Sequence, residues 1–328
     1  YVFSPEHFAF QPKLHEYLRE MRRRCFDGRD CMCVGETSFA NTENANSLVG
    51  DGRELDLLFQ FDLMDMDGEG SKWNAIPLDV PKLKRIVAAW QGAIDWNTLF
   101  LGNHDQPRVV SRFGDTSSEE LWKRSAKCLA ALMYLQRGTP FIYQGEELGM
   151  TNAPFETREQ LRDVEELNLL ALCSSEAELE WAWRGIKAKG RDNARTPMQW
   201  SAGENADFTT GEPWIMLNPN YTDINAEAEE GDPDSILNYY RALIALRNST
   251  PALLRGDWRE LLPESGQVVA YTRGLDGEEY AVLCNLSQES APLPCRLGDF
   301  GEPVLSNMPA DPAAETLRPY EAQVLKKG

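Results

Sequence analysis

The run Gly102-Asn103-His104-Asp105-Gln106-Pro107-Arg108 sets an imidazole, a carboxylate and a guanidinium within five residues, just past the apolar segment 96–101. Such a grouping reads as an enzyme's pocket: one group that can donate or accept, one anionic acceptor and one permanent cation. Sixty-nine residues before Asp105, Cys31-Met32-Cys33-Val34-Gly35-Glu36 has the same layout, a short strand-like run ending in an acid ahead of a polar loop. Acids at the ends of two strands suggest an active site at one mouth of a barrel. A third candidate is Arg191, which opens Arg191-Asp192-Asn193-Ala194-Arg195. Its planar fork of donors suits vicinal hydroxyls and carboxylates, and the plainer alternative is an ion pair with Asp192 or another nearby acid.

Elements able to position these groups can be read from the periodicity. From residue 14 to about 150, helix-like and strand-like segments alternate, the signal for βα units and a parallel sheet. Leu14, Tyr17, Leu18 and Met21 recur at helical spacing, and strands are expected at 31–35, 55–63, 96–101 and 139–143. Asp79 should start a helix with Leu83, Ile86, Val87 and Trp90 on one stripe, and Ser117 with Glu120 should start another by a capping box. The second helix is expected to turn Leu121, Cys128, Leu129, Leu132 and Met133 inward. Four such strands are half of an eight-stranded barrel, so the expected fold class is α/β, with two open parallel edges. Residues 151–233 form a long insertion, and Asp234 should cap a last barrel helix carrying Ile236, Tyr239, Tyr240, Leu243 and Ile244. Beyond Pro251, runs at 268–273 and 280–286 flank Asp276-Gly277, a hairpin signal. With further runs at 293–297, 303–306 and 318–325 they predict a small antiparallel β-sandwich domain over 251–328, behind a barrel portion over 1–250.

Four segments in this order carry a resemblance: CVGET at 33–37, GNHDQPRVVSRFGD at 102–115, GTPFIYQGEELGMTN at 138–152 and RDNARTPMQW at 191–200. The chain closely resembles the α-amylase superfamily, glycoside hydrolase family 13, from about residue 10 to its end. Within it the likeness is to oligo-1,6-glucosidases, α-glucosidases, dextran glucosidases and trehalose-6-phosphate hydrolases. The resemblance implies the second half of a (β/α)8 barrel and a retaining glycosidase that releases glucose from short α-linked gluco-oligosaccharides. It implies that Glu36 is the proton donor and later the base, that Asp105 steadies the transition state, and that His104 and Arg191 bind the terminal glucose. The family's nucleophilic aspartate lies on an earlier strand, so no nucleophile is expected in this chain. The missing N-terminal half of the barrel is an expected partner, and the chain alone is expected to be inactive.

Glycoside hydrolysis needs an acid for the leaving oxygen and a second carboxylate as nucleophile or base. Without the resemblance, Glu36 and Asp105 could be an acid and a base on opposite faces of a sugar, which would make an inverting enzyme. The remaining candidates are weighed one by one. Arg108 could face substrate or brace Asp105 or another carboxylate. Arg195 is expected to be structural, as are Glu146 and Glu147, which the resemblance sets in the site wall. Trp73, Trp200 and Trp214 could stack on sugar rings but are left unassigned.

Thirty-three basic against fifty-two acidic residues give a net charge of −19, which repels nucleic acid and anionic membrane surfaces and admits a neutral sugar. Seven cysteines without paired C-x2-C units point away from a disulfide framework or structural zinc and suit a reducing, cytoplasmic setting. Cys31 and Cys33 are expected to pack inward opposite Met32, Val34 and Glu36. Asp65-Met66-Asp67-Gly68-Glu69 departs from a calcium loop in spacing, so neither metal nor cofactor is expected. No run of about 18 apolar residues suggests a membrane span. Because the first residue is Tyr1, the sequence says little about a leader. Trehalose-6-phosphate is the alternative substrate, and a non-catalytic amylase-like interaction domain is the reading from another class.

Overall fold

The computed structural model describes all residues except 1–3, 8, 51–53, 294–296 and 310–314. Its first part is built on four short parallel strands. After α1 (Leu14–Met21) come β1 (Val34–Glu36), α2 (Asn46–Val49), β2 (Leu57–Phe59), α3 (Val80–Ala93) and β3 (Asn97–Leu99). Then follow α4 (Val109–Phe113), α5 (Glu119–Tyr134) and β4 (Gly138–Pro140). β1 pairs with β2 and β3 with β4, both in parallel. The Thr98 hydroxyl donates to the Leu58 carbonyl at 2.7 Å and ties β2 to β3. At the strand ends, the ring of Phe59, the last residue of β2, meets Phe100 and Phe141, just past β3 and β4 respectively, edge-on at 4.8 and 4.7 Å. All four strands therefore finish on one side, which is where a barrel keeps its chemistry.

Each strand is shorter than the sequence run that announced it. Leu63 N–H donates to the Gln60 side chain at 3.2 Å, so the apolar stretch after β2 curls into a turn. Before β1, the Cys33 N–H goes to the Asp56 carboxylate at 2.7 Å, and pairing starts only at Val34. Cys31 consequently lies outside the strand and is exposed, against the expected inward packing, while Cys33 is half-buried.

The helices follow their stripes with shifted caps. Asp79 accepts from Lys82 N–H at 2.8 Å and buries Leu83, Val87 and Trp90 on α3, as predicted. On α5 the cap is Ser118, not Ser117: the Leu121 N–H goes to the Ser118 hydroxyl at 3.2 Å, and Ser117 lies in a turn closed by its N–H on Asp115 at 2.9 Å. Glu120 pairs instead with Arg124, one turn on. The face carrying Cys128, Leu129, Leu132 and Met133 is buried, and so is most of the rest of this helix.

The 151–233 segment is no open loop. It holds α6 (Val164–Leu172) and α7 (Glu176–Lys189), packed around Phe155, Leu161, Leu170 and Ile186, then α8 (Asp192–Arg195) and α9 (Ala226–Gly231). In α10 (Ile236–Ser249) the cap is Ser235, since Asp234 serves Lys127 at 2.7 Å. α11 (Pro251–Arg255) then leads into antiparallel strands.

These strands are β5 (Asp257–Leu261), β6 (Val268–Leu275), β7 (Glu278–Asn285), β8 (Ala291–Pro292), β9 (Phe300–Ser306), β10 (Thr316–Leu317) and β11 (Ala322–Lys327). They form a five-stranded sheet in the order β5-β6-β7-β11-β9 and a β8-β10 pair. Asp276 and Gly277 make the predicted hairpin turn with φ of 51° and 89°, and Leu275 faces Glu278. Along β6 the pleat sends Val269 and Tyr271 toward α5 and Val268 and Ala270 into a second core with Leu283 and Leu317. The Tyr271 hydroxyl reaches the Leu132 carbonyl of α5 at 3.0 Å. Most of the strand expected at 293–297 lies outside the described residues.

Candidate active site

Glu36 is the last residue of β1, in register with Phe59 of β2. Gly35 precedes it because a Cβ there would sit 2.4 Å from the Leu55 side chain. The Glu36 side chain is exposed at the strand's C-terminal end, and no hydrogen bond fixes its carboxylate among the described residues.

From β3 the buried residues Phe100 and Leu101 lead to Gly102, where a Cβ would lie 2.6 Å from Val109. Asn103 then accepts the Asp105 N–H at 2.8 Å, an Asx turn that lifts His104 and Asp105 out of the core. His104 Nε2 is 3.5 Å from Asp105 Oδ2 and the imidazole is well exposed. The other oxygen, Oδ1, accepts from Arg195 Nη2 at 2.7 Å and Arg191 Nη1 at 3.3 Å. Two arginines thus hold Asp105 by one oxygen and leave Oδ2, beside the imidazole, open to a ligand.

Arg191 and Arg195 stand one helical turn apart at α8, which puts both guanidinium groups on one side. Both also grip Asp163: Arg191 Nε and Nη2 at 2.6 and 3.0 Å, Arg195 Nη1 at 2.7 Å. Asp163 is the N-cap of α6 and accepts from Glu165 N–H at 2.7 Å. Burial alone would raise its carboxyl, but the hydrogen bonds from Arg191 and the Glu165 amide, with both arginine charges, hold it below the usual range. Hydrogen bonding to Asp163 in turn raises the Arg191 guanidinium. Arg191 therefore contacts Asp105, and its main partner is Asp163 rather than Asp192. Arg195 is not merely structural, since it makes the shorter contact with Asp105.

Arg108 corrects its own assignment. Its guanidinium is buried and donates to the carbonyls of Asn193, Gln144 and Thr196 at 3.0, 2.7 and 3.3 Å and to the Thr196 hydroxyl at 3.1 Å. It touches neither Asp105 nor a substrate-facing surface, and burial pushes it down to about 10. Its work is to lock the loop after β4 to the segment carrying Arg191 and Arg195.

Glu146 is buried and accepts from the hydroxyls of Tyr134 and Tyr240 at 2.5 and 3.0 Å. Burial pushes it up to about 7, the tyrosines pulling the other way and Glu147 adding to the rise. Glu147 accepts the Gly145 N–H at 2.8 Å, so both acids hold the loop after β4 in place. Trp200 and Trp214 are half exposed. In the loop that departs from a calcium pattern, Asp67 is engaged by Arg112 and by Lys189, cations the chain itself supplies.

Sequence reasoning missed Asp163 and undervalued Arg195. For Arg195 a signal was present, a second arginine four residues after Arg191; for Asp163, ahead of Val164-Glu165-Glu166, the sequence signalled only a helix start.

Residues 4–256 match the model of the α-amylase catalytic domain, and the chain belongs to that family. It is 42% identical over 332 residues to the probable oligo-1,6-glucosidase 2 of Bacillus subtilis, covering 96% of this chain and 59% of that protein. The trehalose-6-phosphate hydrolase of Bacillus licheniformis superposes with a TM-score of 0.91 at 38% identity, over 98% of this chain and 60% of the other. The trehalulose synthase of Pseudomonas mesoacidophila does so with a TM-score of 0.89 at 40% identity, over 97% and 59%. The chain thus spans about three fifths of the length of the relatives it matches. Its four parallel strands with their helices are a portion of a (β/α)8 barrel followed by an antiparallel β domain.

Proposed function

We propose that this chain carries the acid/base side of a retaining glycosidase that removes glucose from the non-reducing end of short α-linked gluco-oligosaccharides. The carrying observation is the contrast between two acids at the same end of the strands: Glu36 unfettered at the end of β1, Asp105 bound by two arginines after β3. A proton donor must approach and leave the glycosidic oxygen, and Glu36 is free to do so. An acid that steadies charge on the sugar ring must be held in place, which two guanidinium groups do for Asp105. In the first step Glu36 protonates the leaving oxygen while a carboxylate outside this chain bonds to the anomeric carbon. In the second, Glu36 takes a proton from water, which displaces that carboxylate. His104 and Arg191 would hold hydroxyls of the terminal glucose, and no cofactor enters.

Several structural features support other parts of this reading. Among the described residues, β1 pairs only with β2 and β4 only with β3, which is compatible with a further barrel half completing the site. The strands that begin at Asp257 favour a boundary between barrel and β domain near residue 250. A cytoplasmic setting is supported by the free thiols of Cys25, Cys31 and Cys33. No described helix is long and apolar enough to cross a membrane. Trehalose-6-phosphate is the second reading, favoured by the B. licheniformis neighbour. Against it, the ammonium groups of Lys72 and Lys189, which line one cleft, are already paired with Glu165 and Asp67.

The stereochemistry of the first product decides between the retaining and inverting readings. Proton NMR of fresh digests of isomaltose by the complete enzyme should show α-glucose first. Initial β-glucose would make Asp105 the base of an inverting enzyme and overturn the assignment.

A further inference from the structure

Behind the arginine pair three carboxylates converge: one oxygen each of Asp163, Glu166 and Asp192 lies within 4.8 Å of the others. Glu166 and Asp192 have no exposed surface at all. The oxygens of Asp163 are spoken for by Arg191, Arg195 and the Glu165 amide. Glu166 Oε1 accepts the Asp192 N–H at 3.0 Å. Asp192 Oδ2 accepts the N–H groups of Arg162 and Asp163 at 2.6 and 3.0 Å. Left over are Glu166 Oε2 and Asp192 Oδ1, both buried and both without a donor among the described residues.

Two such acceptors cannot satisfy one another while both groups are ionised, and neither arginine reaches them. A hard divalent cation takes about six to eight oxygens, and only these two remain uncommitted. One proton answers both, because a carboxylic acid donates where a carboxylate accepts. We propose that Glu166 and Asp192 share one proton and, as a carboxyl–carboxylate pair, fasten α6 to α8 and so set the Arg191–Arg195 clamp on Asp105. Both are positioning residues, acting through the arginines. The functional consequence rests on the reading of Asp105 as a site carboxylate, whereas the shared proton does not.

The neighbours favour the proton over a wide range. Burial pushes Glu166 up to about 8; the charges of Asp192 and Asp163 add to this, and the Asp192 amide and Lys72 oppose it. Lys72 is itself paired with Glu165, and Lys189 at the end of α7 is taken by Asp67. Between α7 and α8, Gly190 leaves no side chain over Glu166, since a Cβ would sit 2.6 Å from Oε1. The acid form is therefore held at neutral pH and lost as pH rises through about 8. Above that, a second buried negative charge faces Asp192, and the clamp loosens.

The test combines infrared spectra of protonated carboxyl groups with 15N spectra of the Arg191 Nε–H, recorded on the protein from neutral to alkaline pH. Glu166→Gln mimics the acid, with Oε1 still accepting and the amide donating to Asp192. Asp192→Asn presents the same donor from the other side and serves if the first variant does not fold. The wild-type minus Glu166→Gln spectrum should show a protonated carboxyl at neutral pH that disappears with a midpoint near 8. The Arg191 signal should broaden over the same range in the wild type and persist in either variant. A featureless difference spectrum, or an alkaline loss unchanged in the variants, would overturn the proposal. So would stoichiometric calcium uptake by the metal-free protein that Asp192→Asn abolishes. None of these readouts needs turnover, so failure here leaves the glycosidase reading standing, and the reverse also holds.

Discussion

Arg195 and Arg108 show how far the meaning of an arginine depends on what its donors meet. Arg195 presents a fork to Asp105 and Asp163, so its geometry and not only its charge is in use. Arg195→Lys should lower kcat/KM of the complete enzyme by about ten- to a hundredfold, the worth of one charge-assisted hydrogen bond, while thermal unfolding stays close to wild type. Arg108→Met should do the opposite: orphaned carbonyls in the core cost about 3 kcal/mol or more of stability, read as a lower urea midpoint. Glu146 offers a pH signature. Its folded value of about 7 lies above the unfolded value of 4.5, so its contribution is fully present below 4.5 and lost as pH rises through 7. Glu146→Gln keeps the tyrosine contacts and removes that loss. The variant should gain on the wild type by about 3 kcal/mol between pH 5 and pH 8 in denaturant titrations. The types and spacing of His104 and Asp105 marked them as candidates, the family resemblance added Arg191, and the fold brings the three together. Asp163 was not legible, because a capping aspartate looks alike in sequence whether or not two arginines later fold onto it.

At the scale of elements, sequence patterns gave the kind and order of helices and strands, and local hydrogen bonds moved their ends. The α5 start is the clearest case: the capping-box pattern with Glu120 favoured Ser117, but Ser117 lies in the Asx turn at Asp115 and Ser118 makes the cap. Ser118→Ala should cost about 1 kcal/mol in chemical unfolding and Ser117→Ala close to nothing. Equal losses would contradict the cap. The parallel strands were predicted too long because an apolar run continues into buried turns, as after Phe59, where hydrophobicity persists but pairing stops. The hairpin of β6 and β7 was read correctly because Asp-Gly with positive φ at both positions admits few other backbones.

Across the whole molecule, the site is assembled from distant parts of the chain. Glu36, the proposed donor, comes from β1, Asp105 from the loop after β3, and both arginines from the long insertion 151–233. That segment folds around its own apolar cluster, and Arg108 stitches it to the barrel loops, which is why two arginines 86 and 90 positions downstream can clamp Asp105. Long-range convergence of this kind leaves no local periodicity to read. The central claim is that Glu36 is the proton donor. It is tested most directly by comparing isomaltose with dinitrophenyl α-glucoside as substrates of the complete enzyme and its Glu36→Gln variant. The account predicts a fall of about a hundred- to ten-thousandfold for isomaltose, whose leaving group needs a proton, and a much smaller effect on glycosylation by the activated substrate. Equal losses on both substrates, or none on isomaltose, would contradict it.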